Sequence, residues 1–484
     1  MLLLALIILP LIAAMFCLAP DVMPVRMKAL VSSLVSLGLT AYAVSLYITD
    51  PGDMLAFDTW WIKDLGISFN VGMDGISLLL VILTNVLVPL IILSSFGSDY
   101  DRPRTFYALV LLMQAALIGV FTSMDGFLFY IFWELALIPI YFICLMWGGS
   151  DRIRITLKFF IYTMTGSLLM LVGLIYIYLQ TPGTHSFAIA DLYNVSLSSG
   201  DQSWLFWFFL AAFAVKIPIF PLHTWQPDTY TEAPAQGTML LSGIMLKMGT
   251  YGLIRWLLPL FPQALNEYGG IIMGFAITGV IYASCMALVQ KDFKRLIAYS
   301  SLAHAGLIAA GIFSMNTEGI QGAMIQMLAH GVNVVGIFFI VEIIQRRMKT
   351  RSLDNLGGIA HINPVFTILF MIILLGSVAL PLTNGFVGEF LLLNGIFQYS
   401  PWMAAAAGLT VILGAVYMLR SYQQIMLGEP REKNNEFTGL RVSEKVVLIS
   451  IAAIIICTGI YPKPILLLTE PAVEEILSHI KQVY

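Results

Sequence analysis

The sequence predicts an all-α polytopic membrane protein of about fourteen transmembrane helices, and three observations predict it. Of 484 residues, 59% are hydrophobic and only 11% are charged, with a mean hydropathy of +0.88. A soluble globular chain carries roughly 25% charged residues, so this one has too little polar surface to wet a soluble body. Apolar runs of about 20 residues recur along the whole chain, each matching the thickness of a hydrocarbon core. Lysine and arginine fall almost entirely into alternate connections between those runs, as they do where cytoplasmic loops are basic.

Composition also excludes several classes. A net charge of −3 leaves no basic footprint for nucleic acid. Cys17, Cys144, Cys285 and Cys457 stand singly in apolar runs, without a C-x-x-C pair, so no zinc or iron–sulfur ligand set is legible. Neither G-x-G-x-x-G nor G-x-x-x-x-G-K-[ST] occurs, which argues against a dinucleotide fold and a P-loop. The chain is expected to hold no cofactor or metal of its own.

The elements follow in order. Residues 1–105 form an N-terminal unit with spans at 1–18, 28–48 and 75–96. The first lacks a basic leader and a clean cleavage pattern, so it reads as a retained span. The polar, aromatic, alternating stretch 55–74 reads as a β-hairpin outside the bilayer. Residues 106–260 hold spans at 106–124, 126–147, 156–180, 204–225 and 237–258. Residues 270–427 hold spans at 270–290, 296–314, 320–343, 365–394 and 402–426. Residues 428–484 contain a last span at 444–462. After it, residues 466–484 have helical apolar spacing with acids on one side, an amphipathic helix against the membrane surface or the protein.

The basic residues test this count. Connections after odd-numbered spans carry Arg26, Lys28, Arg102, Arg104, Arg152, Arg154, Lys158, Lys291, Lys294, Arg295, Arg346, Arg347, Lys349, Arg351, Arg420, Arg431, Lys433, Arg441 and Lys445. Those are nineteen of the 25 lysines and arginines. Even-numbered connections carry Lys63 and Arg255, and the tail adds Lys463 and Lys481. One misplaced span would scramble the alternation, so the count predicts both termini on the outer, periplasmic side.

Lys216 and Lys247 remain, both inside apolar spans. Among the acids, Glu134 and Glu389 lie well inside spans and Glu342 near a cytoplasmic end; His223, His304 and His330 fall within or at the edge of spans. A charge at the bilayer centre costs about 2.5–3.5 kcal/mol on insertion scales, so such residues face protein or water and usually serve a function. The bland alternative is a structural ion pair that locks two helices. Pro218 and Pro221 break the seventh span after Lys216, and Pro381, Asn384, Gly385 and Gly388 interrupt the twelfth before Glu389. Broken helices are tolerated beside a hydrated or protein-lined cavity. An offset of five spans inverts the second break, predicting two inverted five-helix repeats, spans 4–8 and 9–13.

Ionisable groups strung through a membrane suit proton or small-cation movement. In this reading Glu134 modulates Lys216, Lys247 receives the proton, His304 and His330 relay it, and Glu389 leads it outward. His223 lies in the loop QPDTYTEAPAQ region beside Asp228 and Glu232. That loop lacks Lys and Arg, and is either a proton inlet or a short neutral turn.

The stretches FAVKIPIFPLHTWQPDTYTEAP, LLSGIMLKMGTYG, KRLIAYSSLAHAG and IQMLAHG resemble the antiporter-like subunits of respiratory complex I and their relatives, over essentially the whole chain. The resemblance implies fourteen helices, broken helices seven and twelve, and one proton route through Glu134, Lys216, Lys247, His304, His330 and Glu389. Glutamate at 389, where most relatives carry lysine, is similar to the M-type branch. Tyr230 departs from the family, many of whose members place histidine there. The family implies partner membrane subunits, other antiporter-like ones especially, with flavin, iron–sulfur clusters and quinone bound elsewhere, in a bacterial cytoplasmic membrane. A subunit of a multisubunit cation/proton antiporter and a structural membrane scaffold are the competing readings.

Overall fold

The computed structural model describes residues 1–20, 23–49, 55–183, 185–429, 437 and 439–483. Arg431 and Lys433, expected in a basic connection, lie outside them. Ten described helices are long and apolar enough to cross a membrane. They are α2 (Val25–Thr49), α3 (Gly75–Ser94, extended by a 3-10 turn to Gly97), α4 (Pro103–Thr122), α5 (Gly126–Trp147), α6 (Arg152–Gln180), α13 (Pro262–Leu288), α14 (Phe293–Ile312), α15 (Thr317–Met348), α18 (Pro401–Met426) and α19 (Val442–Ile460). Shorter apolar helices are α1 (Leu2–Leu18) and α16 (Pro364–Ser377). Between α2 and α3, strands β1 (Ala56–Phe57) and β4 (Val71–Gly72) pair antiparallel around the ladder of β2 (Trp60–Ile62) and β3 (Ile67–Ser68).

The helices between α6 and α13, and those around the second break, are interrupted or short. A one-turn helix, α7 (Ile189–Tyr193), precedes α8 (Ser199–Lys216), which stops at Lys216; α9 (Gln226–Glu232) resumes beyond the proline-rich break. Residues 235–260 are helical throughout as α10 (Ala235–Leu240), α11 (Leu246–Gly252) and α12 (Leu258–Leu260), joined by π-helical turns at Leu241–Met245 and Leu253–Leu257. After α16 a second break precedes α17 (Asn384–Tyr399).

The two breaks share one backbone pattern. Ile219 N–H donates to Ala214 O (2.8 Å) and Leu222 N–H to Ile219 O (2.7 Å); Leu380 N–H donates to Leu375 O (3.1 Å) and Thr383 N–H to Leu380 O (3.0 Å). A second correspondence lies at the helix starts. Asp125 caps α5 and Asp292 caps α14 through backbone N–H groups, and each forms an isolated bridge, to Ala188 and Ser352 respectively. Gly126 N–H to Phe187 O (2.7 Å) and Ile189 N–H to Met124 O (2.9 Å) are matched by Phe293 N–H to Arg351 O (2.9 Å) and Leu353 N–H to Lys291 O (2.8 Å).

Burial places α14 and α15 at the centre, each 94% buried along its span, against 28% for α2 and α18. The last helix, α20 (Lys463–Val483), packs on α3 and α15. Its face of Thr469, Ala472, Val473, Ile476, Leu477 and Ile480 is buried, and Thr469 Oγ1 donates to Gln321 Oε1 at 2.8 Å. Of the two supports open to this amphipathic helix, its apolar face takes the protein.

Several charges sorted from the sequence into loops sit on buried helix ends instead. Lys28 is 2% exposed, and its Nζ donates to the carbonyls of Ala19 and Pro20 (both 3.3 Å) just beyond α1, satisfying groups a helix end leaves open. Lys294, Arg255 and Arg347 are likewise buried, as is Glu444.

Candidate functional site

The first π turn prepares Lys247. Leu246 N–H reaches five residues back to Leu241 O, so the Ser242 carbonyl lacks the donor an α-helix would supply. Lys247 Nζ takes that carbonyl at 2.7 Å. The side chain is fully buried, and its other observed partner is His330 Nδ1, on α15, at 2.8 Å. On the far edge of the imidazole, His330 Nε2 lies 3.1 Å from Ser301 Oγ, which is 2.9 Å from Ser242 Oγ. Lys247 and His330 are therefore in direct contact across α11 and α15, with two serines completing the ring of polar groups.

His304 stands one turn along α14 from Ser300 and Ser301. Its Nδ1 is 2.8 Å from Ser300 O, and its Nε2 is 3.2 Å from Glu389 Oε1 on α17. A carbonyl only accepts, so Nδ1 carries a proton. Nε2 then either carries a second one facing an ionised Glu389 or is bare facing a protonated one. In both arrangements the pair holds one transferable proton. The rings of His304 and His330 are 5.7 Å apart. Beside them lies a cavity of about 20 Å3, lined by Ser300, Ser301, His304, Gln326, His330 and Asn333 among others, a volume that suits about one water. Gln326 Oε1 and Asn333 Oδ1 are buried without a protein hydrogen bond, so the cavity wall offers acceptors.

Glycine sets the approach of α17. A Cβ on Gly388, next to Glu389, would stand 2.2 Å from Gln326 Oε1 and 2.9 Å from Gln326 Cα. Only glycine lets α17 close on α15 there.

The first pair is arranged differently from a salt bridge. Lys216 is 3% exposed at the end of α8, and its Nζ stands 5.2 Å from the Trp133 ring centroid, a cation–π distance. Glu134 follows Trp133 in α5 and is half-buried. Among the described residues no ion pair within 4.0 Å joins Glu134 to Lys216, and Glu134 Oε1 is buried without a hydrogen-bond partner. Among the described residues no hydrogen bond joins Lys216 to Lys247. The helices α8 and α11 meet instead through Gly249, where a Cβ would be 2.5 Å from Ile217 Cγ1.

His223 is separate from this chain of groups. It is 5% exposed, stacked on Phe220 and edge-on to Tyr282. Its neighbour Asp228 is paired with Lys158 (3.1 Å) and Arg295 (3.2 Å), so basic residues of adjacent connections neutralise the loop that lacks its own. Tyr230, buried in α9, faces Ser242 and Gln226 and so adjoins the Lys247 network.

Lys216, Lys247, Glu389, His304 and His330 are legible in sequence as buried ionisable residues; Lys28, Lys294, Arg255 and Arg347 are buried too but read as loop residues. Ser242, Ser300, Ser301, Trp133 and Tyr417 were not singled out; Tyr417 Oη donates to Ser300 Oγ at 3.1 Å. The available signal was serine three or four positions before a histidine in YSSLAHAG, one helical turn away. Asp74 and Arg255, 181 residues apart, carry no sequence signal that pairs them. Asp74 caps α3 through Ser77 N–H at 2.9 Å and is hydrogen-bonded to Arg255. Burial opposes its ionisation, but the Arg255 guanidinium holds the carboxyl below its usual range.

Comparison with known proteins places these features. Residues 123–414 match the family described as NADH:quinone oxidoreductase/Mrp antiporter, TM. The NADH-quinone oxidoreductase subunit M of Rickettsia prowazekii (strain Madrid E) is 42% identical over 425 residues, 86% of this chain and 85% of that protein. A chain of respiratory complex I from Thermus thermophilus with bound NADH superposes with a TM-score of 0.91 at 31% identity, covering 99% of this chain and 100% of the other. A chain of the Mrp complex from Dietzia sp. DQ12-45-1b shares the fold, with a TM-score of 0.85 at 19% identity over 99% of this chain and 98% of that one. The chain belongs to the NADH:quinone oxidoreductase/Mrp antiporter membrane family, on its subunit M branch.

Proposed function

We propose that this chain is a proton-translocating, non-redox membrane subunit of an NADH:quinone oxidoreductase. The observation that carries the reading is the fully buried contact of Lys247 Nζ with His330 Nδ1 at 2.8 Å. It continues through the cavity to the one-proton pair His304–Glu389. Each neighbouring group can both receive and release a proton, and the spacing needs at most one water between rings. Glu134 tunes Lys216 through Trp133 and the surrounding low dielectric rather than by direct pairing. A proton displaced from Lys216 reaches Lys247 over water, passes to His330, and leaves through His304 and Glu389 toward the outside.

Fourteen membrane crossings fit if α8–α9 forms the seventh, α10–α12 the eighth and α16–α17 the twelfth. The matched hydrogen-bond patterns at both breaks and at Asp125 and Asp292 support two inverted five-helix repeats, within the units 106–260 and 270–427. The β-ladders and both termini then lie outside, and the basic connections face the cytoplasm of a bacterial inner membrane. The redox energy comes from partner subunits carrying flavin, iron–sulfur clusters and quinone, and other antiporter-like subunits flank this one. Purification in mild detergent tests the assignment. A co-purifying flavin-bearing, NADH-oxidising chain with NADH-driven proton uptake is the expected result. Sodium-dependent proton exchange without any such partner would overturn it in favour of a cation/proton antiporter.

A further inference from the structure

A second cavity, of about 270 Å3, opens at the basic-rich end of the molecule, lined among others by Gln290, Lys291, Asp354, Tyr417, Arg420 and Gln424. These residues come from the connection after α13, the segment after α15 and the last turns of α18. The small cavity beside His304 is lined by Ser300. Between the two spaces stands one hydrogen bond, from Tyr417 Oη to Ser300 Oγ at 3.1 Å. Tyr417 is 2% exposed, and Leu296 and Ile297 in the adjoining turn of α14 are apolar and buried. Ser300 also supplies the carbonyl that holds His304 Nδ1, so the residue that touches Tyr417 is the one that orients the histidine facing Glu389.

We propose that Tyr417 is a proton-relay residue that joins the cavity of about 270 Å3 to the His304–Glu389 pair, giving that pair a direct proton supply from the basic-rich, cytoplasmic end. The inference rests on the proton-translocating reading above. Protons delivered here load the pair before the proton relayed from Lys247 through His330 displaces them outward, so each turnover needs both routes. In the transfer, a hydrated proton entering the large cavity is handed to the Tyr417 oxygen, leaving neutral water behind, as Tyr417 passes its own proton to Ser300 Oγ. Ser300 releases its original hydroxyl proton to the water that fits the small cavity beside His304. Each oxygen gains one O–H bond and loses one, so a single proton crosses and both hydroxyls are restored. The pair is then loaded from one end through Tyr417 and emptied toward the other through α17.

The test uses the complete complex in proteoliposomes, with NADH-driven proton uptake normalised to assembled complex. Tyr417→Phe and Ser300→Ala are each expected to slow uptake at least fivefold, and Ser300→Thr, which keeps the hydroxyl, to restore at least half the parental rate. A merely structural contact would leave uptake per assembled complex unchanged in all three. An assembly-independent probe is Gln424→Cys in a background with Cys285 and Cys457 replaced by serine. A charged, membrane-impermeant thiol reagent added at the basic-rich end is expected to slow uptake about fivefold. Rates within twofold of the parent for Tyr417→Phe, or for the labelled Gln424→Cys protein, would overturn the inference. Lys247→Met is measured alongside: if it too pumps normally, the translocation reading itself has failed, whereas its loss with normal Tyr417→Phe rejects the Tyr417 route alone.

Discussion

Replacing Lys247 with methionine removes the ammonium while keeping a flexible chain of similar length. In the folded protein Nζ donates to Ser242 O at 2.7 Å and shares a hydrogen bond with His330 Nδ1 at 2.8 Å. Leaving a buried polar group unpaired costs about 1–3 kcal/mol, so the two together cost roughly 2–6 kcal/mol. Against this, an unpaired buried charge carries a desolvation penalty of several kcal/mol, which the thioether relieves. The terms nearly cancel, and the variant is expected to assemble with a thermal midpoint within a few degrees of the parent. Transport does not cancel. Proton transfer needs heavy atoms about 2.6–3.2 Å apart or one bridging water, and methionine supplies no titratable group. Losing a positioned acid–base group costs typically 10²–10⁴-fold in its step, so NADH-driven proton uptake is expected to fall at least tenfold per assembled complex. Lys247→Arg sharpens the result, because a guanidinium keeps the charge and the donors but does not release its proton. A scaffold role predicts rescue by arginine, and a relay predicts none. Uptake within twofold of the parent in Lys247→Met, or full rescue by arginine, would refute the relay.

Other perturbations follow from the same geometry. Glu389→Gln removes the partner of the one-proton pair with His304 and is expected to reduce uptake at least tenfold with normal assembly in native gels. Trp133→Leu deletes the ring 5.2 Å from Lys216 Nζ; a several-fold slower uptake per assembled complex is expected, with a lower midpoint from the cavity the buried indole leaves. Gly388→Ala places a methyl against Gln326, at 2.9 Å from its Cα; overpacking of this kind costs about 1–3 kcal/mol, read as a lower midpoint and a lower yield of assembled complex. Arg255→Met strands the partly exposed Asp74 without its cation; breaking a fully buried pair costs about 3–5 kcal/mol, and a smaller thermal destabilisation is expected here at neutral pH. For the parent, the folded Asp74 carboxyl lies below its usual range. Its contribution is therefore complete above the ordinary aspartate value of about 3.9 and lost as pH falls below it toward the folded value. Arg255→Met should show a smaller loss of stability over that acidic window.

Charge sorting and apolar run length make the membrane class and the intramembrane charges of Lys216, Lys247, Glu134 and Glu389 readable from the sequence alone. The reason is local: insertion into lipid penalises each charge individually, so Lys216, Lys247, Glu134 and Glu389 stand out wherever the chain later folds. The two breaks were equally legible, because proline removes a backbone donor regardless of context. Lys28, Lys294 and Arg255 read as loop residues yet are buried, since a long side chain at a helix end can turn inward to satisfy carbonyls or a carboxylate. The docking side of α20 was open as well, because amphipathic spacing shows that a face is apolar without naming what covers it.

Which charges meet was decided only by tertiary structure. Glu134 and Lys216 look like a pair in sequence, yet Trp133 is the lysine's observed close neighbour. Lys247 and His330 are 83 residues apart, and they meet because a π turn frees the Ser242 carbonyl and α15 passes at hydrogen-bond distance. His304 and Glu389 meet because Gly388 admits α17 against α15. Sequence by itself determined where ionisable groups enter the membrane, since that cost is set residue by residue. The order in which a proton can visit them depends on gaps of a few ångströms between helices distant in the chain, and only packing sets those gaps.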